Sequence, residues 1–270
     1  MRKSGLQELK TALARVVHRS TLPYASLRQP VPGSVVSDQF LYRGDIAGTS
    51  FVAENTLALL VGRALPVLHE LRLFDPEGQP VRTLEITSER FFETIPLTGI
   101  DRAFGSFTHF SSYDPEALLA RGLDPGELEA HRQLRRLHRG YCLYRRTIRS
   151  VPAAVHGNFG GLVLKRPGRA GFQHLARRRG AFLYVPQYRF RPDQRVSLYV
   201  MNACRSSERV EVVREGGTIE QLWIPPLGTR TCRLHGVEGY LGLRSNLPMC
   251  RPVVFVEDDD GPDHFDVFHT

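Results

Sequence analysis

The 270-residue sequence predicts a mainly β protein: two tandem immunoglobulin-like β-sandwich units, an N-terminal helix and a helical insert between the units. Three observations favour this fold. They are short runs of alternating apolar and polar residues, turn residues between these runs, and a spacing that returns later in the chain. Asp75-Pro76-Glu77-Gly78 shows the turn chemistry, because proline presets φ and glycine permits a positive φ.

The strand spacing of the first half returns in the second half. Val200 follows Val61 by 139 residues, and Leu222 follows Leu84 by 138 residues. The apolar runs at 57–61 and 196–200 are predicted to be the strands with which this repeated spacing begins. Regular spacing of this kind is typical of repeated structural units. We therefore place a first β unit at residues 51–112 and a second at 181–270.

The other segments have different patterns. In residues 6–19 the apolar positions recur at helical spacing, which predicts a short amphipathic helix, and residues 20–50 are interpreted as an extended arm, so that 1–50 form one segment. Residues 113–180 form the helical, basic insert with connecting strands. Its helices are predicted to start at Asp114-Pro115 and Asp124-Pro125, since proline suits the first helical turn. The second helix carries Leu128, Leu134 and Leu137.

The net charge of +8 is unevenly distributed along the chain. Residues 121–195 hold 17 basic and 4 acidic side chains, and the remaining residues hold 19 and 24. The C-terminal stretch from Glu257 to Asp266 is acidic and carries no basic residue. This pattern indicates a polarised molecule whose basic middle meets an acidic partner or its own acidic tail.

The ends and the cysteines limit the class of protein. The first residues show no signal-peptide pattern, and no apolar run is long enough to span a membrane, so we expect a cytoplasmic protein. Cys142, Cys204, Cys232 and Cys250 form no CxxC pair, which argues against a zinc knuckle. In the cytoplasm we expect these thiols to stay reduced.

Residues 181–256 resemble the β-sandwich of the sensory rhodopsin transducer family. The resembling segments are Tyr199-Val200-Met201-Asn202, Val210-Glu211-Val212, Ile224-Pro225-Pro226, Ser245-Asn246-Leu247-Pro248 and Val253-Val254. The resemblance implies an immunoglobulin-like scaffold that assembles and binds small ligands or partners. It supplies no functional residue.

The leading hypothesis is a non-catalytic binding or accessory protein that recognises a peptide or an acidic small molecule in a groove between the units. The glycine-rich loop at 156–161 permits close backbone approach. Trp223, the single tryptophan, is a stacking anchor if it faces solvent and a core residue if it does not. The candidate ligand-binding residues are His156, Asn158, Arg189, Trp223 and Arg230.

Two alternative functions remain open. Assembly into a homo-oligomer also remains open. His264 and Asp266 form a His-x-Asp pair of the kind that holds a divalent metal, which would make the protein a non-haem iron or zinc enzyme, with His156 or His109 as a further ligand. Otherwise no cofactor is expected. The run Arg177-Arg178-Arg179, with Tyr184 and Tyr188, suits single-stranded nucleic acid. The absence of a nucleic-acid-reading motif argues against that use.

Overall fold

The computed structural model describes residues 24–32, 34–127, 140–157, 160–163, 168–173, 182–246, 252–258 and 265–269. Strands make up 57% of the structure and helices 7%, which confirms the mainly β prediction. In these ranges no helix is long and apolar enough to cross a membrane. The helix predicted over 6–19 lies outside the described residues. The helix predicted to start at Asp124-Pro125 is helical at 125–127, and its residues Leu128, Leu134 and Leu137 lie outside the described residues.

The described residues include two complete short helices, α1 (Thr56–Val61) and α2 (Pro115–Ala120), and residues 125–127 are also helical. The strands are β1 (Ser26–Arg28), β2 (Val35–Arg43), β3 (Gly48–Glu54), β4 (Val67–Phe74), β5 (Pro80–Ser88), β6 (Phe92–Pro96), β7 (Phe104–Ser112), β8 (Gly140–Arg145), β9 (Ala153–His156), β10 (Gly160–Val163), β11 (Arg169–Gln173), β12 (Phe182–Tyr184), β13 (Gln194–Met201), β14 (Glu208–Arg214), β15 (Gly217–Ile224), β16 (Thr229–His235), β17 (Leu241–Ser245), β18 (Val253–Asp258) and β19 (Phe265–His269).

The strands form four small antiparallel sheets arranged as a four-bladed β-propeller. Blade I has the strand order β2-β7-β4-β5, blade II β6-β3-β8-β9, blade III β12-β17-β14-β15 and blade IV β16-β13-β18-β19. A three-stranded sheet, β1-β11-β10, lies beside them. The prediction of two tandem immunoglobulin-like sandwiches is therefore wrong, and so is the scaffold that the family resemblance implied. Alternation along the sequence indicates strands, but all-β folds share it, so it does not determine how the sheets are arranged.

The blades join strands that are far apart in the sequence. Blade I pairs β2 with β7, so that Phe40 lies opposite Phe107. When eight strands are numbered 1 to 8 from β2 in the first half and from β12 in the second half, both halves pair their strands in the same order. That order is 1-6-3-4 in blades I and III and 5-2-7-8 in blades II and IV. The hairpins β4–β5 and β14–β15 contain most of the strand residues whose spacing repeats in the sequence. They occupy equivalent places in this order.

The two halves of the chain meet in an aromatic cluster to which both of them contribute. Phe51 and Phe107 of blades II and I lie in the same cluster as Tyr199 and Phe255 of blade IV. The Tyr144 ring of blade II contacts the Phe255 ring with a centroid distance of 5.1 Å. A second cluster joins blades III and IV to Val36 and Phe110 of blade I and to the three-stranded sheet, so both halves contribute to it as well. Because aromatic side chains bury large areas, the aromatic cluster packs the halves against each other.

One local prediction is also wrong. Residues 57–61 form helix α1 and not a strand, because the Asn55 side chain caps the helix by accepting a hydrogen bond from the Ala58 amide at 3.2 Å. Gly62, with φ of +69°, ends the helix. The arm predicted over 20–50 contains strands β1 and β2 and the start of β3. The helix start at Asp114-Pro115 is confirmed, with Asp114 as the cap of α2.

The turn between β4 and β5 contacts the loop between β15 and β16 from the other half of the chain. The Thr229 amide donates a hydrogen bond to the Pro76 carbonyl oxygen at 3.0 Å. A Cβ atom on Gly78 would lie 1.9 Å from the Pro226 carbonyl oxygen. The turn therefore needs glycine at position 78 for two reasons, its φ of +78° and this close approach between backbones.

Candidate functional site

A groove of about 1160 Å³ opens where the loops after β8 and β12 meet strands β18 and β19. Pockets of this size accommodate peptides and small molecules. The two loops belong to different halves of the chain, so the groove exists only in the assembled fold. Its lining residues are Arg149, Ser150, Val151, Pro152, Ala153, Tyr188, Arg189, Arg191, Gln194, Val256, Asp258, Phe265 and Asp266.

Three arginines converge on the groove, and they differ in how firmly they are held. Arg191 donates a hydrogen bond to Asp258 at 3.1 Å, which raises the pKa of its guanidinium further above its usual range. Arg189 lies 3.8 Å from Glu238, and both side chains are about 70% exposed. Ion pairs of this exposed kind contribute little. Arg149 is exposed and forms no ion pair with any other residue that the structure describes. Arg149 and Arg189 are therefore available to a ligand.

Apolar side chains line the same groove. Val151 is 87% exposed, and Phe265 and Tyr188 also line the groove. Tyr188 stacks on Phe268 with a centroid distance of 5.0 Å, and its hydroxyl accepts a hydrogen bond from Gln194 at 3.0 Å. These contacts fix the position of the ring. The groove thus combines exposed cations with aromatic side chains held in place, which is typical of sites that bind amphipathic ligands.

Two edge strands adjoin the groove. Strand β9 is the last strand of blade II, and β19 is the last strand of blade IV. The two strands lie against each other without pairing in one sheet. An edge strand presents backbone donors and acceptors to which an extended peptide can pair. The groove therefore offers main-chain as well as side-chain contacts.

The structure places the predicted ligand-binding residues at separate positions. Arg189 lines the groove. His156 is exposed at the end of β9, where its Nδ1 lies 2.7 Å from the Gly157 carbonyl oxygen. Trp223 is 61% exposed on β15, so it faces solvent. Arg230 donates hydrogen bonds to the Pro76 carbonyl oxygen and the Glu77 carboxylate, both from the other half of the chain. Asn158 lies outside the described residues.

The alternative sites are only partly covered by the structure. Asp266 is exposed and lines the groove, while His264 and the run Arg177-Arg178-Arg179 lie outside the described residues. Among the residues that are described, no three His, Cys, Asp or Glu side chains form a group that could hold a metal ion. The metal-dependent enzyme and the nucleic-acid interface stay predictions.

A buried polar chain in blade I was not predicted from the sequence. The Ser37 hydroxyl lies 2.8 Å from Nδ1 of His109, and Nε2 of His109 lies 3.0 Å from Nδ1 of His69. Ser37 sits in a bulge of β2, and the histidines come from the neighbouring strands β7 and β4. In sequence the three residues are separated by tens of positions. Only the pairing of the strands brings them together.

Burial determines whether this series of hydrogen-bonded side chains can react with a substrate. His69 and Ser37 have no exposed surface, and His109 is 1% exposed. Burial lowers the pKa of His69 to about 4, with a small opposing effect from the Glu93 carboxylate. Nε2 of His69 finds no hydrogen-bond partner among the described residues. A serine next to a histidine is a nucleophile only if a substrate can reach it, so this closed chain has a structural role.

Comparison with known proteins adds no assignment: no protein-family model matches the chain, and no curated protein matches it.

Proposed function

We propose that the protein is a non-catalytic binding or accessory module that holds a peptide or an acidic small molecule in the groove where the loops after β8 and β12 meet β18 and β19. The observation that carries the proposal is the convergence of Arg149 with Arg189 and Arg191 from the other half of the chain. Guanidinium groups pair with carboxylates in a bidentate geometry, so this set of donors favours an acidic ligand.

The mixture of groups favours an extended acidic peptide over an inorganic anion. Asp258 and Asp266 also line the groove, so its charge is not uniformly positive. Val151, Tyr188 and Phe265 add apolar surface that an inorganic anion would leave unused. The edge of β9 supplies the main-chain groups that an extended peptide needs.

The test measures fluorescence anisotropy of a labelled peptide in which glutamate and valine alternate. We expect saturable binding, and we expect the Arg149→Ala, Arg189→Ala double variant to bind at least about tenfold more weakly, a loss of about 1.4 kcal/mol. Affinity should also fall as the salt concentration rises, because the pairs are partly solvent-exposed.

Arg233→Ala is the matched control. Arg233 is exposed on β16, which lies at the opposite edge of blade IV from β19. This variant should bind the peptide as the wild type does. Equal affinity in the double variant and the wild type, or equal binding of a peptide in which glutamine replaces glutamate, would reject the proposal.

A further inference from the structure

Trp223 lies on the exposed face of blade III, away from the residues that line the groove. Its strand neighbours Leu222 and Ile224 are buried, whereas Trp223 is 61% exposed. Directly across the strand pair lies Arg209. Opposite residues on paired strands are close enough for their side chains to touch. The exposed indole face therefore adjoins a charged side chain of β14.

A small network of polar groups continues from Arg209 across the sheet. The Glu211 carboxylate accepts hydrogen bonds from Arg209 and, at 3.2 Å, from Arg244 of β17. A depression of about 140 Å³ lies over these groups and extends to Ser245 and Asn246. Its volume equals that of about four or five water molecules in the liquid. We call Arg209, Glu211, Trp223, Arg244 and Asn246 the Trp223 surface.

We propose that the Trp223 surface is a carbohydrate-binding site, with the indole stacked on the apolar face of a sugar ring and the polar groups of blade III bonded to its hydroxyls. A hydroxyl both donates and accepts hydrogen bonds, so it matches a surface on which donors and acceptors alternate. Arg209, Glu211 and Arg244 form such a row. Planar aromatic rings pack well on flat apolar surfaces.

The charges on this surface favour a neutral sugar over an anionic ring such as a nucleotide. Glu211 lies between the two guanidinium groups and is itself only 18% exposed. A phosphate near Arg209 or Arg244 would therefore also lie near this carboxylate. A sugar hydroxyl can instead donate to the Glu211 carboxylate while accepting from a guanidinium.

The experiment uses the full chain on an array of immobilised neutral oligosaccharides built from glucose, galactose, mannose, xylose and N-acetylglucosamine. We expect the wild type to bind at least one of them. Because Trp223 is the single tryptophan, titration with that oligosaccharide should change the tryptophan emission directly. Trp223→Ala should weaken binding at least about tenfold.

Tyr240→Ala is the matched control, since Tyr240 is 58% exposed at the other end of β17 and should not affect binding. Glu211→Gln separates a sugar site from an anion site. It should weaken binding of the sugar, whereas tighter binding of adenosine monophosphate than of every neutral oligosaccharide by the wild type would show an anion site and overturn the proposal. The proposal also fails if no neutral oligosaccharide binds, or if Trp223→Ala binds as tightly as the wild type.

Discussion

Gly78→Ala is expected to lower the free energy of unfolding by about 2–4 kcal/mol. An alanine at a φ of +78° costs about 1 kcal/mol, and a methyl group forced into packed atoms costs about 1–3 kcal/mol. The blocking atom is the carbonyl oxygen of Pro226, which belongs to the backbone and cannot rotate away. Urea denaturation of wild type and variant measures the difference.

Gly62→Ala isolates the effect of the close approach. Gly62 has a φ of +69°, similar to that of Gly78, but a Cβ atom there would meet no described atom within 4 Å. We expect this variant to lose only about 1 kcal/mol. Equal losses in the two variants would mean that the contact between the turn and the Pro226 loop contributes nothing.

Acid is expected to destabilise the protein through His69, by about 3 kcal/mol between pH 6.5 and pH 4. The pKa of His69 is lowered to about 4 in the folded protein, so the unfolded chain, with a pKa near 6.5, binds a proton more tightly. Stability is therefore complete above pH 6.5 and falls with pH down to about 4, by up to about 1.4 kcal/mol per pH unit. Urea denaturation at several pH values measures this slope.

His69→Gln should flatten that slope, because glutamine does not titrate in this range and its amide can still contact His109. His156→Gln is the control, since His156 is exposed. That variant should keep the wild-type slope. If His69→Gln also keeps it, protonation of His69 is not the cause of the acid sensitivity.

Local sequence patterns predicted individual strands better than their arrangement. The alternation around Leu71 and Leu84 predicted β4 and β5, because one face of each strand packs inward and the residue types record that. The run at 57–61 is apolar throughout and has no such alternation, so its period could not distinguish a helix from a strand. The residues that mark the two ends of this helix, Asn55 at its start and Gly62 at its end, were present in the sequence.

The candidate sites were predicted less well than the strands, because they depend on pairing between distant segments. Arg149 and Arg189 both belong to the basic stretch at 121–195, but the sequence does not show that they line the same groove, which they reach from different halves of the chain. Trp223 was assigned two possible roles, and its exposure selects the solvent-facing one. Arg230 was singled out for its charge, whereas its guanidinium bonds to the turn at Pro76 and Glu77.

The packing of the two halves against each other affects when the buried thiols become accessible to a reagent. The thiols of Cys142 in blade II and Cys232 in blade IV are buried, and burial raises the pKa of both well above the usual range. Only a thiolate reacts readily with an alkylating reagent, so each thiol is modified when its surroundings open. Cys142 lies in the aromatic cluster and Cys232 in the second cluster, and residues of both halves form each cluster. We therefore expect both thiols to become reactive at the same rate, as one cooperative unit.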